Sequence, residues 1–450
     1  MPKHIWYARL MISGRGLMQS YDVIIAGGGM SGILAAINLA VTRKDLKVHL
    51  LESESFFGGR LRSTQREGNR WGFGLNVISA DLVAHFADTI KELYPNWSMD
   101  DFSVSDCRKV AYCSGGKAHF LSYSDIFKTA GVKAMGGRNA AREWEEFEFR
   151  FPELVEKHPH ESVSKGLDIK RSSASGIILS EVSKALGVPD IWHSPLELLK
   201  CKFDVTDVKV GKFDDLLDAT VELLEKDGLI SVSRHCRVFD VRKGDNGWVL
   251  HTENGLYNAQ NVVVAYNPWA AVQTMTRETM PVAVANMALK SKPVSLVVLS
   301  THIEAGEIDS DFILISSEAV QVVRLGSELS LQATIDYEMS LDAPEVVKAV
   351  KRLKRAVKKL PQYFNGLKLK GEFLGLVAEA WAIPTGAHDF KYIEKMVKLG
   401  NDGLYFVGDS YGKSYNGDAN LVSSVAALKM KFNEKSTKIR DFSILEEANL

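Results

Sequence analysis

The stretch that most constrains what this 450-residue chain can fold into is residues 21–60. Val23-Ile24-Ile25-Ala26 is an apolar run without alternation, as expected of a parallel strand buried on both faces. Gly27, Gly29 and Gly32 follow in G-x-G-x-x-G spacing. In such a pattern the first glycine permits the tight turn, the second lets a pyrophosphate approach the backbone, and the third lets the next helix pack closely on the strand. That helix is expected from about Met30 to Thr42, with Ile33, Leu34, Ile37, Leu39, Ala40 and Val41 to bury. Its N-terminus offers free N–H groups to an anion. Leu46 to Leu51 reads as a second strand. Glu52 then stands 20 residues past Gly32, where an acid can accept a ribose hydroxyl. Glycine-rich turns alone are common. Strand, glycines, helix, strand and acid in this order predict a dinucleotide-binding βαβ unit.

Five residues after Glu52 comes Gly58-Gly59-Arg60. This E-x5-G-G-R spacing resembles the flavin-containing amine oxidoreductase superfamily, which includes monoamine oxidases, protoporphyrinogen oxidases and phytoene desaturases. The resemblance implies FAD. It places Gly59 where the loop passes close to the cofactor and Arg60 on the phosphates, a role that suits the guanidinium fork. A second signature, Gly403-Leu404-Tyr405-Phe406-Val407-Gly408-Asp409, closes the chain. There the family ends a strand at Gly408 and sets an acid, here Asp409, on the ribityl or pyrophosphate region. The helix from Ala419 to Lys429 is similar to the one whose N-terminus faces the flavin pyrimidine oxygens. The resemblance implies that backbone N–H groups near Ala419 and Asn420 stabilise reduced, anionic flavin.

The middle of the chain, from Gly211 to Tyr266, resembles the central piece of the same cofactor domain. Val238 matches a valine that contacts adenine through its backbone, although a core role is equally open. Two positions depart from the family. Lys212 stands where a second glycine is frequent, and Gly72 stands where many members carry an acid. Residues 375–384 resemble the last strand of the substrate domain, which implies that Trp381 faces flavin or substrate, with a core tryptophan as the alternative.

A chain of this length exceeds one comfortable core. The expected fold is α/β: an FAD-binding Rossmann-like domain with a parallel sheet, plus an α+β substrate domain with an antiparallel sheet. We expect residues 1–19 to be an N-terminal extension, 20–85, 204–275 and 396–436 to form the FAD domain, and 86–203 with 276–395 the substrate domain. The second group contains expected helices at 140–151 and 173–186, strands at 294–300, 312–316, 321–325 and 329–335, and a helix at 343–360. One face of that last helix carries Lys348, Lys351, Arg352, Lys354, Arg355, Lys358 and Lys359. A solvated basic face is preferred to peripheral membrane contact.

The net charge of −1 gives no reason to expect nucleic acid as a partner. Cys107, Cys113, Cys201 and Cys236 form no C-x-x-C pair, so no metal site is expected, and few cysteines fit a reducing, cytoplasmic setting. No apolar run reaches the ~18 residues that span a bilayer. Residues 1–20 lack the apolar region and cleavage site of a signal peptide.

The family's chemistry is hydride transfer from a substrate C–H bond to flavin N5. Dehydrogenation of the protoporphyrinogen oxidase or phytoene desaturase kind is preferred to amine oxidation. Amine oxidases place an aromatic cage residue near the position of Asp418, and the register of Lys290 and Lys292 does not suit their lysine beside the flavin. The expected partner is a small apolar or amine-containing substrate. A redox-neutral isomerase or a non-catalytic FAD-binding protein is the reading from another class.

Overall fold

The computed structural model describes residues 19–66, 69–385, 388–400 and 402–447. Apart from its last residue, the expected extension 1–19 lies outside these residues. Strand β1 (Gln19–Ala26), helix α1 (Met30–Thr42) and strand β2 (Val48–Leu51) form the expected unit, with β1 and β2 parallel. Every residue of α1 from Met30 to Ala40 is buried, so the helix lies between layers rather than on the surface. Ile33, Leu34, Ile37 and Leu39 are fully buried, and each such side chain contributes about 1.5–3 kcal/mol.

The seven-stranded sheet built on this unit runs 231–233, β2, β1, 255–264, 247–252 and 238–244, with 404–406 also paired to 255–264. Its first four strands and 404–406 are parallel. Register brings Ala26 beside both Leu51 and Val264, and Val264 beside Phe406. Gly27, Glu52, Ala265 and Val407 therefore all leave the sheet at one carboxyl edge. That is where ligands bind in open α/β sheets.

A second seven-stranded sheet runs 368–384, 291–305, 328–336, 320–325, 312–315, 110–114 and 117–121. It is antiparallel as expected, except that 312–315 and 110–114 pair in parallel. Helix Pro344–Tyr363 seats Val346, Ala349, Leu353, Ala356 and Leu360 in the core on one face. Part of its basic side is neutralised within the protein. Arg355 and Lys359 both pair with the buried Glu318, at 2.9 and 2.6 Å.

The expected helix at 140–151 is one part of Thr129–Lys157, which kinks at Gly137 with φ of +80°. The expected domain boundaries do not follow the packing. Those at 85 and 395 cut through helices Ala80–Lys91 and Phe390–Leu399. Leu82, Val83, Phe86 and Ile90 bury into the same core as α1. Ala283, Val284, Ile393 and Val397 pack with Trp248 and Leu250 of the first sheet. A helix docks its apolar stripe as a unit, so a boundary drawn from composition shifts when the stripe faces the other core.

The two departures noted at Gly72 and Lys212 meet at the junction of the sheets. A Cβ on Gly72 would lie 2.8 Å from Leu325 Cδ1 and 3.3 Å from Glu328 Oε1, so a larger residue does not fit. Glu328, from the second sheet, accepts the Gly72 N–H at 2.6 Å and pairs with Lys212 at 2.8 Å. It is 1 % exposed, and Lys212 supplies the counter-charge that such burial requires.

Candidate dinucleotide site

A cavity of 2180 Å³ opens at the carboxyl edge of the first sheet. Pockets for drug-sized ligands span roughly 300–1,000 Å³, so this volume suits a dinucleotide together with a second molecule. Gly27, Gly29, Glu52, Gly59, Arg60, Val238, Gly408 and Asp409 all line it.

The glycines divide into two kinds. Gly27 adopts φ of +110°, and a Cβ on Gly32 would fall 1.9 Å from Gly27 O. Gly32 lies outside the cavity wall, and its role is the close packing of α1 on the turn. Gly29 is different. Its backbone is extended, and a Cβ there would meet nothing nearer than Gly59 Cα at 3.8 Å. Protein packing does not demand glycine at this position. The space above it belongs to the cavity and stands at the N-terminus of α1. The Gly58-Gly59 loop crosses it, pinned by the Gly58 N–H to Gly28 O bond of 2.9 Å.

Glu52 is 6 % exposed. Its carboxylate accepts the Gly28 N–H at 2.8 Å, the Glu54 N–H at 2.9 Å and the Ser53 hydroxyl at 3.0 Å. Burial pushes its pKa up, and these hydrogen bonds oppose that rise. Glu52 thus braces the turn as well as facing the cavity, which the sequence reading did not foresee. Arg60 pairs with Asp409 at 2.7 Å and donates to Ala380 O at 3.2 Å. This half-buried pair joins the two signatures to each other and to strand 368–384. Arg62 also lines the cavity. It lies over the Phe73 ring at 4.8 Å, and its buried Nε has no hydrogen-bond partner among the described residues. No spacing rule marked it, because its environment is assembled from the fold.

Two expectations require correction. The Ala419 N–H is not free, because it donates to Asn416 Oδ1 at 3.1 Å, and the Asn420 N–H bonds Asn416 O at 3.0 Å. The helix starts earlier, at Gly417, so Asn416 caps it and Asp418 faces the cavity instead. Trp381 is not on the cavity wall. Its Nε1–H donates to Gly187 O at 2.8 Å, and its ring fills the space over Gly187. The pairing of 368–384 with 291–305 shifts register between Val377 and Trp381. Val377 and Ala378 therefore line the cavity in its place.

At the inner end of the cavity stand Ser79, Tyr123, Lys202 and Asp418, from four separate elements. Among the described residues no cluster of His, Cys, Asp and Glu could hold a metal, and the four cysteines are unbonded. Among them, too, no helix is long and apolar enough to cross a membrane.

Residues 25–93 match the family described as an NAD(P)-binding Rossmann-like domain. The structure is similar over nearly its whole length to several solved proteins. Putrescine oxidase in complex with putrescine shares 15% identity and a TM-score of 0.64, covering 93% of this chain and 100% of that one. Cyclohexylamine oxidase from Brevibacterium oxydans IH-35A shares 14% identity and a TM-score of 0.64, covering 93% and 99%. A protein assigned as a protoporphyrinogen oxidase from Exiguobacterium sp. 255-15 shares 15% identity and a TM-score of 0.62, covering 94% and 100%. The chain shares the fold of these oxidases. A search of curated protein sequences finds no match.

Proposed function

We propose that this chain is an FAD-dependent oxidoreductase acting on a C–H bond of a small organic substrate. One observation carries the reading. Segments 27–31, 58–60 and 408–409 converge on one cavity, and the last two are tied by the Arg60–Asp409 pair. A turn that binds only a nicotinamide dinucleotide has no use for a Gly-Gly-Arg loop crossing over Gly29. The residues present fit FAD: open space above Gly29 at a helix N-terminus, and a guanidinium beside it for phosphate. When bound, FAD would supply a two-electron acceptor at its N5.

The protein's own part is to bind, orient and exclude water. The N–H groups at the start of α1 and the Arg60 guanidinium would hold the pyrophosphate, and the Val238 main chain would meet the adenine. Val377 and Ala378 close the cavity wall with apolar surface. Dehydrogenation of a carbon skeleton is preferred to amine oxidation, because Asp418, not an aromatic, stands near the position of the family's aromatic cage residue. Amine oxidation is the second reading, favoured by the fold shared with putrescine and cyclohexylamine oxidases.

The test is to purify the protein, identify released FAD by its spectrum, and add porphyrinogens, polyenes and amines anaerobically. Loss of flavin absorbance with one class assigns the substrate. A protein that takes up no FAD refutes the reading. Bound FAD that no substrate bleaches supports a binding protein instead.

A further inference from the structure

The inner end of the cavity carries donors that the protein itself leaves without acceptors. Lys202, on helix Leu196–Asp204, is half-buried and lines the cavity. Phe127, Leu186 and Phe203 line the small recess behind it. Among the described residues its ammonium makes no hydrogen bond and no ion pair within 4.0 Å. The Tyr123 hydroxyl, on a half-buried residue, has no hydrogen-bond partner among them either, although the ring is held edge-on against Phe312 at 5.8 Å. Burial raises the Tyr123 pKa, so the hydroxyl keeps its proton and remains a donor. Burial raises the Asp418 pKa, and the Ser79 hydrogen bond opposes that rise. Across the cavity Asp418 favours the charged form of Lys202, against the burial that opposes it.

We propose that Lys202 and Tyr123 bind a carboxylate of the substrate, so that the substrate class is a carboxylate-bearing molecule. Two donors from different elements match the two oxygens of a carboxylate. A group without an acceptor would leave both donors unsatisfied, and a neutral acceptor would forgo the charge-assisted bond to the ammonium. The arriving carboxylate supplies the acceptor that the described residues do not give to either donor. The proposal rests on the preceding reading, because it takes the volume beside these donors to be the substrate's share of an FAD-containing cavity.

The experiment is calorimetric titration of the purified protein with benzoate and hexanoate, and with benzamide and hexanamide as neutral counterparts. Heat of binding is read whether or not flavin is present, so this result is separate from the test of FAD content. The carboxylates are expected to bind at least about tenfold more tightly than the amides. Lys202→Met should abolish that preference, Lys202→Arg should retain it, and Tyr123→Phe should weaken it several-fold. In the holoprotein, benzoate should also shift the flavin absorption bands. Equal binding of acid and amide overturns the proposal. So does a Lys202→Met protein that still prefers benzoate, or one that loses FAD while its benzoate binding is unchanged.

Discussion

Gly29 and Gly32 sit three residues apart in one motif, yet the structure assigns them opposite consequences on substitution. In Gly29→Ala the new Cβ has ordinary contacts, the nearest at 3.8 Å, and the backbone φ of −78° is open to any residue. The fold should not notice it, and replacing glycine can even stabilise by about 0.4–1 kcal/mol through the unfolded chain. The methyl group, however, stands where the pyrophosphate must approach the N-terminus of α1. Losing one or two charge-assisted hydrogen bonds at about 1.5–3 kcal/mol each weakens FAD binding by roughly 2–4 kcal/mol, or about 30- to 1,000-fold. In Gly32→Ala the Cβ would lie 1.9 Å from Gly27 O, and the neighbour is backbone that cannot rotate away. Overpacking of this kind costs about 1–3 kcal/mol or more. The assay pairs urea denaturation of the flavin-free proteins with FAD titration followed by absorbance. Gly29→Ala should keep its unfolding midpoint and lose FAD, whereas Gly32→Ala should lose stability first. The reasoning is refuted if Gly29→Ala binds FAD as the parent does, or if the two variants unfold alike.

Two further outcomes are expected. Lys212→Met strands the Glu328 carboxylate, which is 1 % exposed, and should cost about 3 kcal/mol in urea melts; adding Glu328→Gln should recover part of it. The His49 ring stacks on Tyr21 at 4.3 Å and on Tyr257 at 5.4 Å, and burial lowers its pKa to about 4. An unfolded histidine takes a proton near pH 6.5, so between roughly pH 6.5 and 4 the unfolded state binds more protons than the native state. Stability from this residue is therefore complete above that window and falls as the pH drops, by about 2.5 kcal/mol at pH 4.5. His49→Phe should flatten the acid limb of stability against pH, and an unchanged limb would assign the sensitivity elsewhere.

Much of the site was legible because its rules are local. The turn at Gly27, the helix after it and the acid at Glu52 depend on residues within one βαβ unit, and each emerged where spacing placed it. The positions that moved depend on partners far along the chain. Trp381 turned toward Gly187 because a register shift in one strand pairing redirects the side chains beyond it. The Ala419 N–H was consumed by a cap three residues upstream, and a two-residue shift in a helix start changes which groups face the cavity.

The sequence by itself determined the kind of site. A strand that must be buried, glycines where a side chain would collide, and a Gly-Gly-Arg loop at fixed distance leave few folds to choose from, since steric exclusion acts between near neighbours. Only the tertiary structure decided what else surrounds the ligand. It brought Arg60 to Asp409, set Glu328 against Gly72 and Lys212, and collected Tyr123, Lys202 and Asp418 from three distant elements. Burial, and with it the need of each charge for a partner, arises only when separate layers close on one another.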